Sequence, residues 1–302
     1  MKTFRANGKL LITAEYLVLK GAEAFAIPLN KGQTLSCKTS EFDGLVWKAF
    51  TPSGLWFDAI FDNELNIIET SDNEKALFLQ KLLRLTIDYN SKTKEKLKNC
   101  EVTTKLEFEP NWGWGSSSTL FYLLEQWLGV DAFYLMENTI GGSGYDIACA
   151  KNNNPIIYQL QNSKPTVKKV NFNPHFIDNL GIVFLNKKQK SSTQVKAFLS
   201  KDFADNATIN QISELTHKII STNNLDDFMN YMRMHEKIIS TILNIPTLED
   251  SIFADFDGIT KSLGAWGGDF ALFASKNDFQ QSQQYFKDRG FDTVFRLSEV
   301  MI

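Results

Sequence analysis

The stretch that decides the reading is Asn111–Leu120, NWGWGSSSTL, where Gly113 and Gly115 precede three consecutive serines and an apolar run starts directly behind them. A single serine would suffice to cap a helix, because its oxygen accepts from the unpaired N–H groups of the first turn. Three hydroxyls, glycines that let an anion approach the backbone, and the positive end of a helix dipole together describe a cradle for phosphate. The plainer alternative is a glycine-serine turn with one capping serine.

The segments on either side give this loop its context. Alternating Val102, Thr104, Leu106 and Phe108 predict a strand delivering the chain to Pro110, and STLFYLLEQWLG predicts a buried helix. Strand, glycine loop, helix is the setting that a phosphate loop requires. Upstream, residues 1–61 read mainly as short strands separated by glycine turns. In EKALFLQKLLRLTIDY, residues 74–89, Leu77, Leu79, Leu82, Leu83 and Ile87 fall near helical spacing. Downstream comes a second glycine cluster, TIGGSGYDIACA, then the strand-like PIIYQL and LGIVFL, helices over 208–222 and 226–243, and a third glycine loop in KSLGAWGGDFALF. The change from β-rich to helix-rich near residue 185 divides the chain into subdomains 1–184 and 185–302.

Composition excludes several classes of function. A chain of 302 residues, 43% of them hydrophobic, can bury a substantial core. With 32 basic against 35 acidic side chains, a net charge of −3, it carries no field that would make nucleic acid its main partner. Cys37, Cys100 and Cys149 are widely separated and lack CxxC spacing, which suits a reducing cytoplasm rather than a disulfide framework. Glu15 and Lys20 break up the first apolar run, so neither a signal peptide nor a membrane span is expected. His235-Glu236 lacks the second histidine of a zinc motif, Ile239 standing in its place.

Standard phosphate motifs do not account for the loop. No lysine follows GWGSSS where Walker A demands one, and the Rossmann glycine pattern is absent. Cationic help must come from elsewhere, and GKLLITAEYLVLKG offers Lys9 behind a glycine at a strand, while GGSGYDIA offers Asp146 after a flexible turn. Taken singly, Lys9 reads as a solvated strand-end lysine and Asp146 as a turn or capping residue.

Together these segments resemble the GHMP small-molecule kinases, and within them the mevalonate and phosphomevalonate kinase branch. GKLLITAEYLVLKG is similar to the first family motif, WGWGSSSTL to its GLGSS phosphate loop, GGSGYDIACA to the phosphomevalonate kinase segment G-S-G-[FY]-D-[VI], and KSLGAWGGDFALF to the third motif, in the family's order and over nearly the whole chain. The resemblance implies an α/β fold of two subdomains, an N-terminal one with a left-handed βαβ unit and a C-terminal ferredoxin-like one. It departs from the family at Ala14 for glycine, Tyr16 for histidine, Trp114 for leucine and Trp266 for glycine.

What the resemblance implies can be stated residue by residue. Gly113, Gly115, Ser116, Ser117 and Ser118 would hold the phosphates of ATP, with Ser117 as a ligand of Mg²⁺ and Glu137 as the metal carboxylate. Asp146 would accept or orient the proton of the acceptor hydroxyl, and Lys9 would stabilise that carboxylate and the transferring phosphoryl group. Glu15, Lys187, Lys190, Ser192 and Gly264 are expected at the acceptor, although NKKQKSST by itself reads as a solvated loop. Trp112, Trp114 and Trp266 read as packing residues. The implied protein is a cytoplasmic ATP-dependent kinase, monomer or homodimer, acting on mevalonate or phosphomevalonate in isoprenoid precursor synthesis, with no nucleic-acid or membrane partner. A kinase for a sugar or homoserine, or a noncatalytic ATP-binding regulator, is the alternative.

Overall fold

In the computed structural model, which describes residues 1–162, 164–187, 205–264 and 266–302, the order of elements follows the glycine loops. The chain divides into two compact units built from interleaved segments. The first comprises Met1–Gly8, Lys31–Pro110 and Trp114–Lys151, and the second Lys9–Asn30, Asn111–Gly113 and Asn152–Ile302. Strands β1 (Lys2–Leu11) and β2 (Ala24–Thr39) therefore contribute to both.

In the first unit, β3 (Leu45–Thr51), β4 (Gly54–Phe61), β5 (Ile67–Thr70) and β6 (Cys100–Leu106) join the C-terminal half of β2 in the order β5-β4-β3-β6-β2. β3 and β6 run parallel, and α1 (Asn73–Tyr89) and α2 (Thr93–Leu97) lie between them in sequence, as a crossover demands. α1 starts where the Asp72 carboxylate accepts the Lys75 amide at 3.0 Å. Its buried stripe is Ala76, Leu79, Leu82, Leu83 and Thr86, while Leu77, one position off that stripe, is exposed. The strand expected over 102–108 forms as β6, and the helix expected after the serines forms as α3 (Ser116–Leu128). α4 (Ala132–Glu137) and α5 (Tyr145–Lys151) pack on α3. Trp47, Phe61, Val102, Phe121 and Leu124 lie in the common core, each such side chain contributing roughly 1.5–3 kcal/mol by leaving water.

In the second unit, Ala24–Ala26 of β2 pair with β7 (Ile156–Gln161), which continues into the exposed hairpin strand β8 (Lys164–Lys169). A separate antiparallel sheet holds β9 (Leu180–Phe184), β10 (Ile259–Ser262), β11 (Phe270–Ala274) and β12 (Val294–Arg296) in the order β10-β11-β9-β12. Helices α6 (Asn206–Ser221) and α7 (Leu225–Leu243) fall between β9 and β10, and α8 (Phe279–Lys287) between β11 and β12. This is the split β-α-β arrangement of a ferredoxin-like subdomain, as expected. Phe253, Phe273 and Phe286 fill its core, Phe273 and Phe286 lying 4.8 Å apart between ring centroids. α7 begins at Asn224, whose side chain accepts the amides of Asp226 and Asp227. A last short helix, α9 (Leu297–Val300), follows β12. Among the described residues no helix is long and apolar enough to cross a membrane.

Candidate active site

The serine run does not cap its helix. Gly115 occupies the N-cap with φ 93°, no side chain caps α3, and Ser116, Ser117 and Ser118 are its first three residues. Their N–H groups have no partner within the helix, and glycine supplies the left-handed turn that aims them outward. The hydroxyls divide in purpose. Ser118 donates to the Gly115 carbonyl at 2.9 Å, and Thr119 donates its amide to the same carbonyl at 2.9 Å and its hydroxyl to Gln33 Oε1 at 2.7 Å, so both brace the turn. Ser118 is buried, which leaves its amide rather than its hydroxyl for a ligand. Phe108 and Trp114, both buried, pack together with ring centroids 5.8 Å apart.

Ser116 and Ser117 instead line a cavity of about 340 Å³ within the first unit. Trp47, Trp56 and Phe57 from β3 and β4, Phe78 from α1, and Leu120 from α3 give it broad apolar walls, and Lys75 stands at its side. Lys75 pairs with Asp72 and places its ammonium 5.4 Å from the Trp56 ring centre. A cavity with aromatic walls that is also lined by the first two residues of an uncapped helix combines surfaces for stacking and for anion binding. The sequence reading missed Trp56, Lys75 and Phe78. One signal was present: along GLWFDAIF, Phe57, Ala59 and Phe61 are buried, and Trp56 falls on the opposite, partly exposed face with Asp58 and Ile60.

The remaining expected residues fall in two groups. In the first unit, Asp146 is the second residue of α5, partly buried behind a turn in which Gly141, Gly142 and Gly144 all take positive φ, and its Oδ1 accepts the Ile147 amide at 3.1 Å. Lys151, at the far end of α5, pairs with Glu125 of α3 at 2.6 Å. Glu137 is exposed at the end of α4, and among the described residues no three His, Cys, Asp or Glu side chains gather into a metal cluster. Serines lining the cavity, with no carboxylate cluster beside them among the described residues, suit a cation that arrives with a nucleotide better than a preformed protein cage, since magnesium keeps much of its shell in water and phosphate oxygens.

In the second unit, Lys9 is partly buried on β1. Gly113 takes φ 70°, and a Cβ there would lie 2.5 Å from Asp269 Oδ2, so the first and third glycine loops meet where glycine is required. Asp269 in turn donates its amide to the Lys187 carbonyl at 2.7 Å and accepts from the Leu185 amide at 2.8 Å. Lys187 is exposed just beyond β9, and Gly264 borders open space at φ 63°. Lys190 and Ser192, with Lys188, Ser191 and Thr193, lie outside the described residues. Trp114 and Trp266 are almost fully buried, and Trp112 meets Phe270 and Phe295 edge-on, so all three tryptophans pack.

Glu15 departs from expectation. It has no exposed surface and is bonded to the equally buried Lys261 of β10, so it does not present itself to an acceptor. Glu236 and His235 of α7 complete the cluster: Glu236 Oε2 lies 3.9 Å from Lys261 Nζ, and His235 Nε2 lies 3.6 Å from Glu15 Oε2. Burial pushes both carboxyls up, Glu236 to about 8, and pushes the imidazole well below its usual range. With the ammonium bonded to Glu15, the extra proton resides on Glu236.

No family model matches the sequence, and no curated protein matches it. Solved structures do. The chain superposes on a mevalonate kinase of L. major in complex with R-mevalonate with TM-score 0.69 at 16% identity, covering 98% of this chain and 95% of that one. A Streptococcus pneumoniae phosphomevalonate kinase in complex with phosphomevalonate and AMPPNP gives TM-score 0.71 at 16% identity over 98% and 100%. Lactococcus lactis galactokinase complexed with galactose gives 0.66 at 13% identity over 100% and 93%. The protein therefore has the α/β fold of the GHMP kinases, as its four motifs indicate.

Proposed function

We propose that the protein is an ATP- and Mg²⁺-dependent small-molecule kinase of the GHMP type, transferring the γ-phosphoryl group of ATP to a hydroxyl of mevalonate or phosphomevalonate in isoprenoid precursor synthesis, in the cytoplasm. The observation that carries this reading is the aromatic cavity of the first unit, lined also by Ser116 and Ser117, the first two residues of an uncapped helix. A nucleotide base fits the aromatic walls, and phosphates fit the helix N-terminus. Gly113, Gly115 and the amide of Ser118 extend that cradle.

Phosphoryl transfer asks a protein for position and charge rather than covalent chemistry. Ser117 would hold the magnesium, with Glu137 as the proposed carboxylate, and the ion when bound would neutralise charge on the phosphates. The acceptor oxygen bonds to the γ-phosphorus as the bond to the β,γ-bridging oxygen breaks and ADP departs. Asp146 takes or orients the hydroxyl proton, and Lys9 stabilises the charge. Gly264 and Lys187 border the acceptor in this reading. Support for the acceptor class comes from the ligands of two structural relatives, mevalonate and phosphomevalonate. The galactose-bound relative supports a sugar acceptor on the same fold.

The test is release of ADP, followed by a coupled assay, with mevalonate, phosphomevalonate, homoserine and galactose each offered as acceptor. Turnover with either of the first two is expected. Turnover with galactose or homoserine alone would replace the acceptor, and ATP binding without turnover on any would make the protein a noncatalytic nucleotide binder.

A further inference from the structure

The buried cluster in the second unit is more than the phosphate loop needs, and it sits at the root of two glycine loops. Glu15 lies between two residues in the left-handed region, Ala14 at φ 64° and Tyr16 at φ 62°. Neither is glycine, so the turn persists only because its surroundings hold it. His235 Nε2 accepts the Ala14 amide at 2.8 Å, which fixes the neutral ring with its proton on Nδ1. Thr13 Oγ1 is hydrogen-bonded to Thr216 of α6 at 2.7 Å and accepts the Phe25 amide. Lys261 reaches across to Glu15 and also donates to the Ser262 carbonyl at 2.9 Å. Glu236 Oε1 accepts the Ser262 amide at 3.0 Å. Two residues after Ser262 the chain opens into Gly264, and the far end of that loop is Asp269, beside Gly113.

We propose that Lys261, His235 and Glu236 are positioning residues: with Glu15 they pin the left-handed turn at Ala14–Tyr16 to the strand that enters the third glycine loop, and so set Asp269 against Gly113. The catalytic meaning of this rests on the kinase reading above; the mechanical claim does not. A single ammonium serves two buried carboxyl groups, so the cluster balances only while one proton stays with them. Glu15 Oε2, Glu236 Oε2 and His235 Nδ1 have no hydrogen-bond partner among the described residues, so no further donor or cation supplies that balance. The groups facing Glu236 are Lys261 and the Ser262 amide from β10 and Glu15 from the turn, while His235 of its own helix faces Glu15 and the Ala14 amide. Glu214, His217 and Lys218 of the neighbouring α6 are exposed.

Hydrogen–deuterium exchange on the whole chain tests the proposal without relying on activity. In the double variant Glu15→Gln/Lys261→Met, which removes both charges at similar volume, the amides of residues 263–270 and of Gly113 should exchange faster by about tenfold or more, with β7 and the cavity helix α3 unchanged. Turnover on an acceptor that the wild type uses should fall with the KM for ATP nearly constant. Should the double variant not fold, Glu236→Gln decides: wild-type exchange at 263–270, corrected for the intrinsic effect of pH, should rise between pH 7 and 9, and the variant should lose that rise. Unchanged exchange in a folded double variant overturns the proposal, as does an identical pH response in wild type and Glu236→Gln. A wild type that turns over no acceptor refutes the kinase reading and leaves the exchange result to stand by itself.

Discussion

Ala14 occupies a position where the resembling motif carries glycine, and its φ of 64° explains the family preference for a residue without a Cβ. The alanine keeps the conformation at a cost, which the His235 contact to its amide offsets. Ala14→Gly should raise stability by up to about 1 kcal/mol in urea unfolding, the released strain outweighing the entropy of a looser unfolded chain. A loss of stability would mean the alanine methyl packs usefully against its buried surroundings. For Asp146, replacement by Asn should leave nucleotide binding intact and cut turnover by about 10²-fold or more, as removal of a general base does. Near-normal turnover would remove Asp146 from that role. Glycines and serines were legible because their work is local: a positive φ or an amide at a helix start depends on the residue itself. The partners Lys261, His235 and Glu236 were not, since nothing at positions 235 and 261 signals that they meet residue 15.

Among the elements, α1 was read to within a residue because its stripe repeats at helical spacing, and Leu77 was assigned to that stripe only because periodicity tolerates a one-position error. For the C-terminal sheet only its ferredoxin-like class is implied, and that by the resemblance; the order β10-β11-β9-β12 is not legible because neighbours in a sheet can be far apart in sequence. The cavity depends on the same kind of distance, with β3, β4, α1 and α3 each supplying one wall. If that wall seats a base, Trp56→Ala should weaken ATP binding by roughly 1–3 kcal/mol, the size of an aromatic stacking contact, measured by calorimetric titration. The KM of the acceptor should stay within about twofold. An equal loss for both ligands would indicate a collapsed unit rather than a lost stack.

For the molecule as a whole, the buried cluster makes stability depend on pH. Glu236 holds its proton in the folded state up to about 8 but releases it near 4.5 when unfolded, so rising pH through that window favours unfolding. His235, held neutral when folded, acts in the opposite sense below 6.5, where the unfolded ring takes a proton. The two effects oppose each other below 6.5, and that of Glu236 stands clear of His235 between 6.5 and 8. Glu236→Gln should therefore remove a fall in unfolding free energy of about 1.4 kcal/mol per pH unit over that interval, measured by denaturant melts at each pH. Parallel curves for variant and wild type would show that Glu236 is ionised when folded. Lys261→Met alone should cost about 3–5 kcal/mol, because it strands carboxyl groups away from water.

In the proposed function, the serine-rich helix start holds the phosphates of a nucleotide whose base lies in the aromatic cavity. A crystal structure of the protein with a non-hydrolysable ATP analogue and Mg²⁺ tests it most directly. The base should stack by Trp56 and Phe78, with phosphate oxygens within hydrogen-bonding distance of the amides of Ser116, Ser117 and Ser118. A nucleotide bound away from residues 113–118, with the cavity empty, would contradict the account and make the loop a structural turn.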